Sequence, residues 1–131
     1  MPGSIDIFFY GLFMDIALLQ SQGVKPQNPR RAYVDGYELR IGQRASIVPA
    51  AGQRVYGMLV ALTHPEIALL YSPPGLQNYR PEAVLAVRMD GGEPLPALCY
   101  NLEEAPGPNE YNAEYAAKLK AVLAALSFPI F

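Results

Sequence analysis

The 131-residue chain has no tryptophan, a single cysteine, a single histidine and only 17% charged residues. Each shortage removes a class of function. With Cys99 alone no internal disulfide is possible, so nothing points to an oxidising compartment. Cys99 lies in Leu95-Pro96-Ala97-Leu98-Cys99-Tyr100, a strand-like apolar setting without a neighbouring base or cation, and reads as a core residue rather than a nucleophile. His64 stands beside Pro65 without a cysteine or acidic cluster at ligand spacing, which argues against a metal site and for an exposed first-turn residue. No Ser-His-Asp arrangement emerges from the spacing, and no cofactor motif is present. Gly91-Gly92 is not followed by a helix, so it reads as a turn and not as a phosphate cradle.

Basic residues are also too few and too scattered for nucleic acid. The net charge is −2, and the tightest cationic cluster is Arg30-Arg31. Long apolar runs are missing too. No segment approaches the ~20 unbroken apolar residues of a membrane helix. The apolar start lacks a basic leader region and is interrupted by Asp6 and Asp15, so a cytoplasmic location is the expectation.

Apolar residues, by contrast, make up 51% of the chain, enough at this length for a continuous core in one domain spanning 1–131. Ile5 to Tyr10 reads as a central strand, apolar on both faces apart from Asp6. Asp15 is placed to cap a short helix, Ile16 to Gln22, which Gly23 stops. Val24 to Pro29 reads as a loop, and Arg31 to Ile41 as a strand with a bulge at Gly36. Ala45 to Val48 reads as a short strand, Ala51-Gly52-Gln53 as a hairpin turn, and Val55 to Leu62 as a strand covered on both sides.

Thr63-His64-Pro65-Glu66 has the pattern of a capping box with proline in the first turn, opening a helix that Pro73-Pro74 ends. Tyr79 to Met89 and Leu95 to Leu102 flank Asp90-Gly91-Gly92 as a hairpin. Tyr111 to Leu126 is the strongest helical pattern, with Tyr111, Tyr115, Leu119, Val122 and Leu126 near one stripe. Short strands with two small helices and one long one favour an α+β fold, a compact barrel-like mixed sheet with flanking helices.

The order strand, glycine, helix start around Tyr10-Gly11 can present backbone N–H groups to an anion. It also begins a series of family motifs. Tyr10-Gly11-Leu12-Phe13-Met14-Asp15 resembles the Tyr-Gly-x-Leu-Met-Asp opening of the gamma-glutamylcyclotransferase superfamily, in the branch that includes avirulence-induced-gene proteins of plants. Val55-Tyr56-Gly57-Met58-Leu59 resembles its Val-x-Gly-x-Leu strand, and Leu62 to Glu66 its Leu-Thr-x-x-Glu helix start. Tyr79-Arg80, Ala97 to Tyr100 and Asn109 to Tyr115 are similar to its later elements.

The resemblance implies a reaction in which the free amine of a gamma-glutamyl substrate attacks its own side-chain carbonyl, releasing 5-oxoproline. Tethering alone supplies roughly 7–11 kcal/mol in such a reaction. It further implies a substrate-binding site at Tyr10, Gly11, Leu12, Phe13 and Tyr79, without a cofactor, for a small amino-acid-like ligand. Tyr10, Tyr71 and Tyr79 fall in segments that converge on that pocket, though each also fits as core filling.

One component is missing. The family performs proton transfer with a Glu just after the short helix, where this chain reads Leu70-Tyr71-Ser72-Pro73-Pro74-Gly75. A Ser72 hydroxyl without a partner is too weak a base. Glu66 is used in the capping box and Asp15 as a cap. Glu82 falls with Arg80 and Arg88 on a face that reads as solvated, though Pro81 can disturb that alternation. The sequence therefore leaves the catalytic residue unassigned, and a non-catalytic binding or structural module stands as the alternative to a cyclotransferase.

Overall fold

A computed structural model describes residues 3–130; residues 1, 2 and 131, at the ends of the expected 1–131 domain, lie outside the described residues. Its strands are β1 (Ser4–Phe9), β2 (Gln27–Ile41), β3 (Ala45–Thr63), β4 (Tyr79–Arg88) and β5 (Leu95–Leu102). They close into a mixed barrel in the order β1-β3-β2-β4-β5. Helices α1 (Ile16–Ser21), α2 (His64–Leu70) and α3 (Ala113–Ala125) flank it, giving the α+β architecture expected from the sequence. No described helix is long and apolar enough to cross a membrane.

Two antiparallel blocks make up the barrel. In the first, β1 runs beside β3 from Ser4↔Thr63 to Phe9↔Met58, and β3 in turn runs the length of β2. The second is the β4–β5 hairpin, paired from Tyr79↔Leu102 to Ala86↔Leu95. Thin seams join the blocks. One is the parallel β1–β5 pairing at Ile7↔Leu98, the other the pairing of Ala32 and Tyr33 with Arg88 and Val87.

Burial follows from this wrapping. Ile7, Phe8, Leu59, Val60, Val34 and Cys99 are almost wholly buried, with Met14, Leu19 and Leu119 packed from the flanking elements. Cys99 is thus the core residue its setting indicated. At Gly57 of β3 the neighbouring β1 leaves no room for a side chain: a Cβ there would collide with the Phe9 carbonyl oxygen and the Phe8 ring.

One expectation fails in the middle of the chain. Residues 45–63 form a single strand, not two strands joined by a hairpin turn. The register passes from Asp35↔Arg54 to Tyr37↔Pro49, so Gly36 alone faces residues 50–53. Ala51-Gly52-Gln53 is an outward swelling of a continuous ribbon, because pairing with β2 resumes in the same sense beyond it. The chain reversal lies instead at residues 42–44, where the Gly42 N–H donates to the Arg44 carbonyl at 3.0 Å. Strand β2 also starts earlier than expected, taking Gln27 to Pro29 from the predicted loop.

Helix starts follow local chemistry closely. Asp15 accepts from the Ala17 and Leu18 N–H groups, and Thr63 and Glu66 form the complete capping box. Glu66 Oε2 also accepts from the Lys25 N–H at 2.6 Å, tying α2 to the approach of β2. His64 is exposed in the first turn of α2. Asn112 caps α3, which leaves Tyr111 before the helix and 69% exposed instead of on its buried stripe.

Candidate functional site

Where β1 ends, the chain makes a single 3-10 turn, Leu12–Met14, before Asp15 starts α1. The turn uses two of its N–H groups internally: Met14 donates to the Gly11 carbonyl at 3.0 Å and Asp15 to the Leu12 carbonyl at 3.1 Å. The Leu12 N–H meets the Tyr115 hydroxyl oxygen, contributed by α3. The N–H groups of Gly11 and Phe13 have no hydrogen-bond partner among the described residues. Both residues line a cavity of about 210 Å³.

All five residues expected at the site, Tyr10, Gly11, Leu12, Phe13 and Tyr79, line this cavity. Their parts differ from the expectation in one respect. Tyr10 is 7% exposed, and its hydroxyl lies 2.8 Å from the Tyr100 carbonyl and 3.3 Å from that of Ala45. The Tyr79 hydroxyl donates to the same Ala45 carbonyl at 2.6 Å. Both phenols therefore spend their protons on the barrel, and only their rings and oxygen lone pairs face the cavity.

The remaining wall is aromatic. Tyr71 stacks on Tyr100, with centroids 4.4 Å apart and planes 17° from parallel. Phe13 meets Tyr71 edge-on, and Tyr79 lies against it at 5.8 Å.

Arg44 is the cavity's one charged side chain among the described residues, and no carboxylate lines it. It sits at the tip of the β2–β3 reversal and has no ion-pair partner among the described residues. Gly75, at φ +87°, allows the guanidinium to lie against its Cα in space a Cβ would fill. The proline-rich segment that lacks the family acid therefore meets a cation. Beyond Arg44 opens a polar cleft of about 560 Å³, whose lining includes Glu103, Glu104 and Glu110. Glu82 is exposed on β4 and lines neither space. No group of three or more His, Cys, Asp or Glu among the described residues is placed to hold a metal ion.

Electrostatics match the packing. Burial pushes the Tyr10 and Tyr71 phenols well above their usual range, with the nearby Cys99 and Tyr79 adding to it. Burial also raises Tyr79, reinforced by Tyr115 and opposed by the Arg44 charge. For Tyr115 burial again dominates, opposed by the Leu12 N–H and by Arg44. None of these phenols is a base near neutral pH.

A stability effect follows. Below pH ~10 the phenols are protonated in both folded and unfolded chains. Above it the unfolded chain ionises first, so the folded state loses stability as pH rises. The melting temperature should fall steeply above pH ~10, at up to ~1.4 kcal/mol per pH unit for each buried phenol. Tyr71→Phe should flatten that slope; an unchanged slope would show that Tyr71 ionises freely.

Sequence reasoning missed Arg44 and Tyr100 and assigned Tyr115 to the helix core. Arg44 carries no local signal, since only the β2–β3 register brings it beneath the end of β1. Tyr115 was within reach: it is one helical turn from Leu119 on the same stripe, at the end where α3 approaches the loop.

The family model for gamma-glutamyl cyclotransferase, AIG2-like proteins matches residues 7–118. No curated protein matches the chain in sequence. Among solved structures, YkqA from Bacillus subtilis is similar with a TM-score of 0.76 and 25% identity, over 93% of this chain and 49% of that one. A protein from Arabidopsis thaliana, solved in solution, gives a TM-score of 0.71 at 19% identity, covering 97% of this chain and 95% of its own. A gamma-glutamyl cyclotransferase specific to glutathione from yeast gives 0.68 at 14%, covering 98% and 90%. The chain spans about half the length of YkqA and most of the other two.

Proposed function

The chain belongs to the gamma-glutamyl cyclotransferase, AIG2-like family, and we propose that it uses its cavity to hold a small carboxylate of amino-acid size without cyclising it. One observation carries this reading: the wall that should supply a general base supplies Arg44 and protonated phenols. Cyclisation requires removal of a proton from the attacking ammonium and its return to the leaving group. Neither a guanidinium nor a phenol raised by burial accepts a proton near neutrality. Orientation by itself leaves that transfer undone.

Binding is better served. A carboxylate at the mouth would accept charge-assisted hydrogen bonds from Arg44 and from the Gly11 and Phe13 N–H groups, with its body against the aromatic wall. At about 210 Å³ the chamber is below the ~300–1,000 Å³ typical of drug-sized ligands, which sets the ligand near amino-acid size.

Two assays test the reading together. Purified protein incubated with gamma-glutamyl amines and dipeptides should release no 5-oxoproline above a heat-inactivated control. A panel of small carboxylates should contain members that raise the melting temperature, by ~2.7 kcal/mol of stabilisation at a hundredfold excess over Kd. Release of 5-oxoproline overturns the non-catalytic assignment, and the absence of any shift overturns the binding one.

A further inference from the structure

We infer that the cavity selects carboxylates lacking an ammonium group: compact acids with an apolar or aromatic body, in preference to amino acids of the same skeleton. The inference rests on the carboxylate-binding reading and narrows its ligand class.

The argument starts from charge. An α-amino acid brings its ammonium within a few ångströms of its carboxylate. A carboxylate seated on Arg44 would therefore carry that ammonium into the chamber or hold it against the guanidinium. Arg44 is the chamber's one charged side chain among the described residues, so the second cation would meet a like charge and no carboxylate. A cation taken out of water without an anionic partner is strongly disfavoured.

Neutral acceptors do not replace the missing anion. The Ala45 and Tyr100 carbonyl oxygens already accept from Tyr79 and Tyr10. What remains are the phenol oxygens of Tyr10 and Tyr79, neutral acceptors without charge, and ring surface, above all the stacked pair Tyr71 and Tyr100, which suits an apolar body. Glu103, Glu104 and Glu110 line the adjoining polar cleft, on the other side of Arg44, and not the chamber itself. Glu103 is already paired with Arg80 at 2.9 Å.

Arg44 also occupies room that a glycine leaves open. Its guanidinium lies against the Gly75 Cα, where any side chain would displace it. The positive charge thus stands at the place where a proton-accepting acid is missing.

The experiment is a titration of the whole protein, by calorimetry and by melting shift, with matched pairs: 3-phenylpropionate against L-phenylalanine, and 4-methylvalerate against L-leucine. Methyl 3-phenylpropionate serves as the control without a carboxylate. The amine-free acid of each pair should bind about tenfold tighter or better, and the ester should not bind. Arg44→Gln should abolish binding of the acid, and its melting temperature without ligand shows whether the variant is folded. If the amino acids bind as tightly as the amine-free acids, or tighter, the tyrosine faces accept the ammonium; the inference then fails while carboxylate binding stands. If no member of either class binds, the underlying reading fails and the inference with it.

Discussion

Replacing Gly57 with alanine should destabilise the fold by about 3 kcal/mol or more, lowering the melting temperature by ~10 °C. The added methyl group would meet the Phe9 carbonyl oxygen and the Phe8 ring at once. A flexible side chain can step aside at small cost, but neither of these can. The carbonyl belongs to the backbone of β1, next to its pairing with Met58, and Phe8 is 1% exposed in the centre of the core. To make room, β1 would have to move off β3, taking the loop at the cavity rim with it. Thermal or urea unfolding measures the effect, and a loss below ~1 kcal/mol would show that the strands separate easily there. The same contact gives a physical reason for the glycine in Val55-Tyr56-Gly57-Met58-Leu59.

At Gly11 a bulky residue should separate function from stability. Its backbone is extended (φ −106°, ψ −151°), a conformation open to any residue, so no strain arises from the main chain. A Cβ would nevertheless stand 2.7 Å from the Tyr115 hydroxyl. Valine there should push the phenol off the Leu12 N–H and crowd the rim. Because the atom met is the tip of a side chain that can swing aside, the fold loses little, while the narrowed rim should cost about a hundredfold in affinity, ~2.8 kcal/mol. Calorimetric titration with the best carboxylate of the panel reads the loss, while the melting temperature should stay within a few degrees of wild type. Unchanged affinity would move the binding site away from this loop.

Much of the architecture was legible because short-range chemistry dictated it. Asp15, Thr63 with Glu66, and the Asp90-Gly91-Gly92 turn each act within a few residues, and each did what its pattern indicates. The hairpin predicted at Ala51-Gly52-Gln53 failed for a related reason. A glycine flanked by small and polar residues marks a departure from regular pairing, but only the partner strand determines whether the chain turns back or swells outward. The lining of the candidate cavity was legible in half. Tyr10 to Phe13 announced themselves as a strand end followed by a helix start. Arg44 is some thirty residues away, and its position depends on strand register, which no local pattern reveals.

The two seams of the barrel give its tyrosines a second meaning. Besides these thin backbone ladders, side-chain hydroxyls and an amide fasten the two blocks to each other. Tyr10 reaches the Tyr100 carbonyl and Tyr79 the Ala45 carbonyl, while Ser46 and Asn101 bond across to the Leu102 and Ile47 N–H groups. These rivets join the two halves of the barrel, and those of Tyr10 and Tyr79 do so from the cavity wall. A guest pressing on Tyr79 or Tyr100 would therefore load the bolts of the vessel that encloses it, and the span between the halves would be the quantity through which an occupant is felt.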